Sequence, residues 1–225
     1  MTKNYWDWKP VFHMDPYKSA LLVIDMQNAF LEKGSPLEVP MAREQVPVFK
    51  KMLSYCREQG IPVIYTEFCI GPDFHYKFYW KNAEQRGLRV EAPYCELWDG
   101  KYETEIYHEL KPLPSEKVIK KFGYDCFAET DLDSVLKSLG VSNLIVTGTV
   151  LNWCVDSTVR AAYHKHYDVT VISDAVSSYD HAGGTAEDWC KMELNLIAEA
   201  FGRVVSSDDA IEEMNSFQQQ EARSI

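Results

Sequence analysis

The chain has 225 residues, a formal net charge of −11 and 46% hydrophobic residues. A chain of this length can form one α/β domain whose core needs no disulfide or metal to hold it together. The negative charge is spread along the sequence and would repel a phosphate backbone, so nucleic acid is excluded as a partner. No stretch approaches the roughly 20 apolar residues of a membrane span. These properties favour one soluble domain, 1–225, with no membrane contact.

The beginning of the chain and the cysteines indicate the compartment. Residues 1–15 lack the order of positive, apolar and small residues that marks a signal peptide. The six cysteines include no C-x-x-C pair, which argues against a zinc knuckle, a redox motif or a disulfide framework. We therefore expect a cytoplasmic protein.

Six short runs rich in apolar and β-branched residues predict strands. They cover residues 20–24, 62–66, 117–120, 143–147, 169–173 and 203–206. Runs that are apolar on both faces suit a parallel sheet that is covered on both sides.

Apolar stripes at helical spacing lie between these runs. The stripes are Val46, Phe49, Leu53 and Cys56, then Leu132, Val135, Leu136 and Leu139, and then Trp189, Met192, Leu196 and Ala200. Strands that alternate with helices indicate βαβ units with right-handed crossovers. The sequence therefore predicts a three-layer α-β-α domain, doubly wound around a mostly parallel six-stranded sheet of the Rossmann-like or flavodoxin-like kind.

The segment 68–107 does not follow this pattern. It is rich in aromatic residues with weak periodicity: Phe74, Tyr76, Phe78, Tyr79, Trp80, Tyr94, Trp98 and Tyr102. Long connections in compact domains often cover active sites. We expect either a lid over a pocket or an insertion that packs on a neighbouring subunit, and the two roles can coexist.

Polar residues follow three of the predicted strands. Asp25, Lys121 and Cys154 come after the first, third and fourth runs, Cys154 through a short turn into a helix. Because the carboxyl ends of parallel strands meet at one edge of a sheet, we expect the three side chains to converge on one crevice. Each alone has a structural explanation: a helix cap or ion pair, a solvated surface charge, and a buried thiol.

Cys154 is the candidate nucleophile. The thiolate is the reactive form, and a helix N-terminus beside a cation favours it. If Asn152 caps the helix, Cys154 lies in the first turn, where free backbone N–H groups can also hold an oxyanion. Asp25 would then accept the thiol proton and pass it to a leaving amine, while Lys121 steadies both charges. The remaining thiols with apolar surroundings are interpreted as structural: Cys56, Cys126 and Cys190.

Segments 22–30, 118–127 and 147–158 resemble those of the isochorismatase-like cysteine hydrolases. This family includes nicotinamidase, N-carbamoylsarcosine amidohydrolase, ureidoacrylate amidohydrolase and biuret hydrolase. The resemblance covers most of the chain and assigns catalysis to the three strand-end residues. It also implies a cis peptide between Thr149 and Val150, and an oxyanion hole formed by the N–H groups of Val150 and Cys154. A homo-oligomer, dimer or tetramer, and the absence of a cofactor are further implications.

The substrate pocket is expected to include the residues that flank the three reactive positions: Phe30, Tyr124, Asn152 and Trp153. In nicotinamidases an Asp-x-His pair after the second strand binds a metal, and segment 65–73 here lacks that pair. Glu67, Cys69 and His75 match no ligand spacing, so no metal is predicted. The other histidines have no partner at ligand spacing and receive no role: His13, His108, His164, His166 and His181.

The resemblance predicts cleavage of a C–N bond through a thioester-type intermediate. Isochorismatases proper cleave a vinyl ether and lack the cysteine, so Cys154 favours an amide substrate. Segment 123–132 and the long insertion look most like ureido and biuret hydrolases, and a small ureido or carbamoyl compound is the preferred substrate. The alternatives are a nicotinamidase, an ether-cleaving isochorismatase, and a non-catalytic flavodoxin-like receiver module with Asp25 as phosphate acceptor. A receiver is roughly half this length and needs clustered acidic residues for magnesium.

Overall fold

A computed structural model describes residues 8–71 and 97–223, together with the isolated positions 76, 82, 84, 85 and 87. Five of the eight aromatic residues named above for the segment 68–107 lie outside the described residues, namely Phe74, Phe78, Tyr79, Trp80 and Tyr94. His75 also lies outside them.

Six strands form one sheet. Their bounds are β1 Ser19–Ile24, β2 Val63–Phe68, β3 Lys117–Lys121, β4 Asn143–Thr149, β5 Asp168–Ser177 and β6 Arg203–Val205. The strand order is β3-β2-β1-β4-β5-β6, and every neighbouring pair is parallel. The predicted doubly wound topology is confirmed, with a sheet that is wholly rather than mostly parallel. The chain reverses its direction of winding between β1 and β4, which opens a crevice at their carboxyl ends.

The helices connect the strands along the chain. Their bounds are α1 Asn28–Leu31, α2 Pro40–Glu44, α3 Val46–Gln59, α4 Leu132–Ser138, α5 Asp156–His164, α6 Ala186–Ala200 and α7 Ser207–Arg223. A single π-helical turn, Leu151–Val155, leads from β4 into α5. Within the described ranges, none of the helices has the length and apolar composition needed to cross a lipid bilayer.

Alternate residues of each strand pack on opposite helical layers, as the two-residue period of a strand requires. Leu21 and Val23 of β1 face the core formed with α3 and α7. Leu22 and Ile24 face the core formed with α4, α5 and α6. The residues of β1 are all buried, which explains why the run carries no polar alternation in the sequence.

The predicted elements differ from the observed ones mainly at their ends. β4 and β5 extend beyond the predicted runs, through Thr149 and Ser177, with a shift in register between Val146 and Gly148. The third predicted helix is confirmed as α6, but Met192 and Leu196 of its stripe are exposed, and the core contact is made by residues such as Ile197. The α3 stripe is confirmed, since all four of its residues are buried.

Candidate active site

Strand ends bring four side chains together at the crevice. Asp25 directly follows β1, Lys121 ends β3, Thr66 lies in β2, and Cys154 lies in the π-turn after β4. Gly148 allows this close approach of β4 to β1: its φ is +126°, and a Cβ there would collide with the Ile24 carbonyl. The three residues singled out in the sequence therefore lie side by side.

Lys121 is fully buried and its ammonium group has three neighbours. Its Nζ lies 2.7 Å from Oδ2 of Asp25 and 3.4 Å from Sγ of Cys154. It also donates to the Gly123 carbonyl at 3.0 Å. The ammonium group thus forms an ion pair with the carboxylate and hydrogen bonds to the sulfur and to a backbone carbonyl. The lysine is thus fixed between the carboxylate and the thiol.

Asp25 is held on its other side by a threonine. The Thr66 hydroxyl donates to Oδ1 of Asp25 at 2.6 Å, and the Asp25 N–H donates to the Thr66 hydroxyl at 3.2 Å. The backbone of Asp25 has a positive φ of 52°, a conformation that costs a non-glycine residue about 1 kcal/mol and recurs at functional sites. The carboxylate is therefore fixed in place by both backbone and side-chain contacts.

The turn that carries Cys154 has an unusual backbone. The peptide between Thr149 and Val150 is cis, as the resemblance implies. The Val150 carbonyl accepts from the N–H of Trp153 at 3.0 Å and from that of Val155 at 3.2 Å. An α-helical bond from this carbonyl would have gone to Cys154, so the wider turn bypasses the Cys154 N–H.

The prediction that Asn152 caps the helix is wrong. The residue before the π-turn is Val150, and Asn152 lies inside the turn without capping it. Ser178 Oγ donates to Asn152 Oδ1 at 2.8 Å, and Asn152 Nδ2 lies 3.0 Å from Nε2 of His181. The sequence could not reveal this, because both partners come from a connection some 26 residues further along the chain.

Burial and charge determine the protonation of the site. Burial raises the pKa of Cys154 well above its ordinary value, the charge of Asp25 raises it further, and Lys121 partly offsets both. Burial alone would lower the pKa of Lys121, but Asp25 and Cys154 raise it above its ordinary value. Burial therefore favours the neutral thiol beside the Lys121–Asp25 ion pair, over the thiolate that a helix N-terminus alone would favour.

A pocket of about 220 Å³ opens at Cys154. Of the three central residues, Asp25 and Lys121 are fully buried, whereas Cys154 keeps 6% of its surface exposed and lines the pocket. The lining among the described residues is mainly apolar and aromatic: Phe30, Pro36, Leu37, Glu38, Val39, Phe68, Leu97, Tyr124, Thr149, Val150, Trp153, Cys154 and Tyr179. The sulfur is therefore the reactive atom of the site that a small molecule can reach.

Three of the four predicted pocket residues line this pocket: Phe30, Tyr124 and Trp153. Asn152 is directed toward Ser178 and His181 instead, so its predicted contact with substrate is not supported by the structure. Tyr124 and Trp153 pack edge to face with ring centroids 5.5 Å apart. The pocket wall beside Cys154 is thus built from interlocked aromatic rings.

Two residues of the segment 68–107 also border the pocket, Phe68 and Leu97. The segment is tied to the strand that carries the aspartate, since Gln27 Nε2 donates to the Phe68 carbonyl at 3.0 Å and to the Thr104 carbonyl at 2.8 Å. Gln27 is fully buried, which makes these bonds costly to lose. Phe68 and Thr104 are therefore both fixed to the residue that lies two positions after Asp25.

Sequence reasoning missed two residues of the site. Thr66 closes the second predicted strand just as Asp25 follows the first, so the strand-end rule could have found it. His181 was assigned no role, yet it is hydrogen-bonded to the nucleophile turn. Its position in a turn after β5 gives no sequence signal for that contact.

Within the ranges that the structure describes, no group of three His, Cys, Asp or Glu side chains is arranged to hold a metal ion. Cys69 is buried and its thiol donates to the Glu67 carbonyl at 3.7 Å.

Comparison with known proteins gives a consistent relationship. The sequence profile described as the Isochorismatase domain matches residues 19–209. The ureidoacrylate amidohydrolase RutB of Pseudomonas savastanoi pv. phaseolicola is 32% identical over 210 residues, which cover 87% of this chain and 83% of that protein. The corresponding protein of Caulobacter segnis is 33% identical over 211 residues, covering 87% and 85%.

Solved structures extend the likeness to the fold. A cysteine hydrolase from Pseudomonas syringae pv. phaseolicola superposes with a TM-score of 0.80 at 28% identity, covering 92% of this chain and 96% of that chain. An N-carbamoylsarcosine amidase from Thermoplasma acidophilum gives a TM-score of 0.68 at 26% identity, covering 85% and 98%.

Proposed function

The chain belongs to the isochorismatase family, and we propose that it is a cysteine-dependent amidohydrolase acting on a small amide, ureido or carbamoyl compound. The observation that carries the proposal is the contact of Cys154 Sγ with a buried Lys121–Asp25 ion pair, at the wall of a pocket. The likeness to ureidoacrylate amidohydrolases and to an N-carbamoylsarcosine amidase supports the same class of reaction.

In the proposed reaction the Cys154 thiol transfers its proton to Asp25 as the sulfur attacks the substrate carbonyl. Lys121 contacts both the Asp25 carboxylate and the Cys154 sulfur, so the proposed proton acceptor and the thiol lie at one point of the site. The negative charge shifts from the carboxylate to the sulfur during this transfer, and Lys121, which contacts both groups, stays charged and balances it. Because burial raises the pKa of Cys154, the attack needs a base for the thiol proton, and Asp25 is the proposed base.

The attack gives a tetrahedral intermediate whose C–N bond then breaks. Asp25 returns the proton to the leaving nitrogen, so ammonia or an amine departs and an acyl or carbamoyl group remains on Cys154. Asp25 then takes a proton from water, whose hydroxyl attacks the thioester or thiocarbamate. Cys154 leaves as the thiol after regaining that proton. One carboxylate thus serves both halves of the cycle, and no cofactor is needed.

The oxyanion of the intermediate is proposed to bind to the N–H groups of Val150 and Cys154. Both residues border the pocket, and the π-turn carries the Val150 carbonyl bond past Cys154 to Val155. Donors fixed in a buried site stabilise a developing charge far better than water does.

The proposed substrate is a small ureido or carbamoyl compound. Phe30, Tyr124 and Trp153 would contact the part of the substrate that stays on the carbonyl carbon or leaves with nitrogen. The segment 68–107 is proposed to cover the bound substrate as a lid. The whole chain, 1–225, is proposed to act as one domain. The cytoplasmic location stays a prediction that subcellular fractionation can test. The homo-oligomer, dimer or tetramer, stays a prediction that light scattering can test.

The experiment is to assay ammonia release from ureidoacrylate, N-carbamoyl amino acids, biuret and nicotinamide. We expect wild-type turnover of at least one ureido compound, and a loss of about a thousandfold or more in Cys154→Ala. Cys56→Ala is the matched control, because Cys56 is equally buried but lies in α3, away from the site. Undiminished ammonia release in Cys154→Ala would rule out thiol catalysis.

A further inference from the structure

Asn152 is held from two sides by residues that follow β5. Ser178, fully buried, donates to Oδ1 of Asn152 at 2.8 Å, and Asn152 Nδ2 lies 3.0 Å from Nε2 of His181. An amide NH₂ can only donate, so Nε2 of His181 must be the acceptor in this pair. The arrangement requires a neutral His181 whose proton is on Nδ1.

His181 is itself firmly fixed. Its ring stacks on Trp189 of α6 at 4.9 Å between centroids and 4° between planes. The Trp189 indole N–H donates to the His181 carbonyl at 2.9 Å, and the backbone of His181 pairs with Gly184 in both directions. A side chain with this many contacts has little conformational freedom, so its hydrogen bond restricts the orientation of the Asn152 side chain.

Asn152 lies between the cis peptide and Cys154, in the turn that sets the direction of the sulfur and of the Cys154 N–H. We propose that His181 is a positioning residue that, through Asn152 and in its neutral form, holds the nucleophile turn in its reactive geometry. The inference rests on the proposed function of Cys154. It gives the enzyme a dependence on pH that does not come from Asp25 or Cys154.

Protonation of His181 would turn Nε2 into a donor facing the donor of Asn152. The amide would then have to turn over, which would point its NH₂ at the Ser178 hydroxyl and end the present pairing. Burial lowers the pKa of His181 from its ordinary 6.5, so the neutral form prevails at neutral pH. The arrangement is therefore lost as the pH falls through that lowered pKa, and intact above it.

The neighbours of His181 contribute little charge. Tyr179 faces the ring at 4.5 Å between centroids, and Trp153 of the π-turn lies edge to face at 6.0 Å. Asp180, the preceding residue, is exposed and its Oδ1 accepts from the Ala186 N–H. The acidic residues at the start of α6 are Glu187 and Asp188, and Asp188 is engaged in the capping box with Thr185.

The experiment compares three variants over pH 5 to 8. His181→Gln keeps an acceptor for Asn152 without titrating, His181→Phe keeps the ring stack without an acceptor, and Ser178→Ala removes the opposite hydrogen bond. We expect kcat to fall roughly tenfold in the Phe and Ala variants with little change in KM, because the nucleophile and not the substrate is displaced. At pH 7.5, His181→Gln should keep kcat within about threefold of the wild type. At pH 5 it should retain a larger fraction of its own pH 7.5 kcat than the wild type does.

His164→Gln is the control, since His164 is exposed at the end of α5. The rate at which iodoacetamide alkylates Cys154, followed by mass spectrometry of its peptide, provides a readout that needs no substrate, and circular dichroism checks folding. Altered alkylation in the Phe and Ala variants but not in the Gln variant supports the inference. Identical pH profiles in wild type, His181→Gln and His181→Phe would overturn it. Unchanged turnover in Cys154→Ala would instead overturn the proposed function, so the two failures are distinguishable.

Discussion

The two halves of the sheet contribute to the crevice in different ways. Strands β1 to β3 supply charged and hydroxyl side chains, namely Asp25, Thr66 and Lys121, in direct contact with one another. Strand β4 and the connection after β5 supply a shaped backbone, in which Cys154 takes its direction from the π-turn. Strands β1 to β3 thus provide the proton acceptor and the charged groups, and the other half of the sheet fixes the position of the Cys154 sulfur. Catalysis needs the charged groups and the positioned sulfur together, at the crevice between β1 and β4.

Removing the proton acceptor tests the charged half most severely. Asp25→Asn keeps the shape of the side chain but cannot accept the Cys154 proton, so we expect kcat to fall by about a thousandfold. Ammonia release at pH 7.5 is the measurement. Asp168→Asn is the control, because Asp168 is exposed at the opposite, amino end of β5. Activity of Asp25→Asn within tenfold of the wild type would mean that another group takes the proton.

Removing the buried cation should damage both stability and activity. Lys121→Met leaves Asp25 buried without its partner, which is expected to cost about 3–5 kcal/mol of unfolding free energy and about a hundredfold in kcat. Urea denaturation and ammonia release provide the two readouts. Lys120→Met is the matched control one residue earlier, where the half-exposed pair with Asp99 should contribute no more than about 1 kcal/mol. Equal destabilisation by the two variants would contradict the assigned role of burial.

The pH dependence of thiol reactivity tests the contact between the halves. Because burial and Asp25 raise the pKa of Cys154, the thiolate fraction should grow about tenfold per pH unit from pH 7 to 9. Alkylation of Cys154 by iodoacetamide, measured by peptide mass, should rise accordingly without a plateau. Lys121→Met removes the charge that lowers this pKa and should slow alkylation at every pH. A plateau below pH 7 in the wild type would indicate a resting thiolate instead.

The smallest effect is expected from the residue that only orients the carboxylate. Thr66→Val removes the 2.6 Å hydrogen bond to Asp25 while keeping side-chain volume, and we expect about a tenfold loss of kcat. Thr66→Ser restores a hydroxyl and should recover most of the activity. If Thr66→Val and Thr66→Ser behave alike, the hydroxyl does not position Asp25.

The same contrast explains what the sequence could predict. The six strands and the meeting of Asp25, Lys121 and Cys154 follow from local apolar runs and from the geometry of parallel strand ends. The π-turn and the pairing of Asn152 do not, because Asn152 is a favourable cap by local rules and tertiary contacts with Ser178 and His181 override that preference. Likewise, the stripe that includes Met192 has helical spacing but faces outward, since periodicity identifies a helix face without saying which face is buried.

Covalent attachment of the substrate fragment to Cys154 is the most direct test of this account. Wild-type enzyme should be mixed with excess of a ureido substrate that it turns over, quenched in acid at successive times, and digested for mass spectrometry. We predict that the Cys154 peptide gains the mass of the carbamoyl or acyl fragment within the first turnover and loses it as product accumulates. Product formation at the full rate with an unmodified Cys154 peptide at every time point would contradict it.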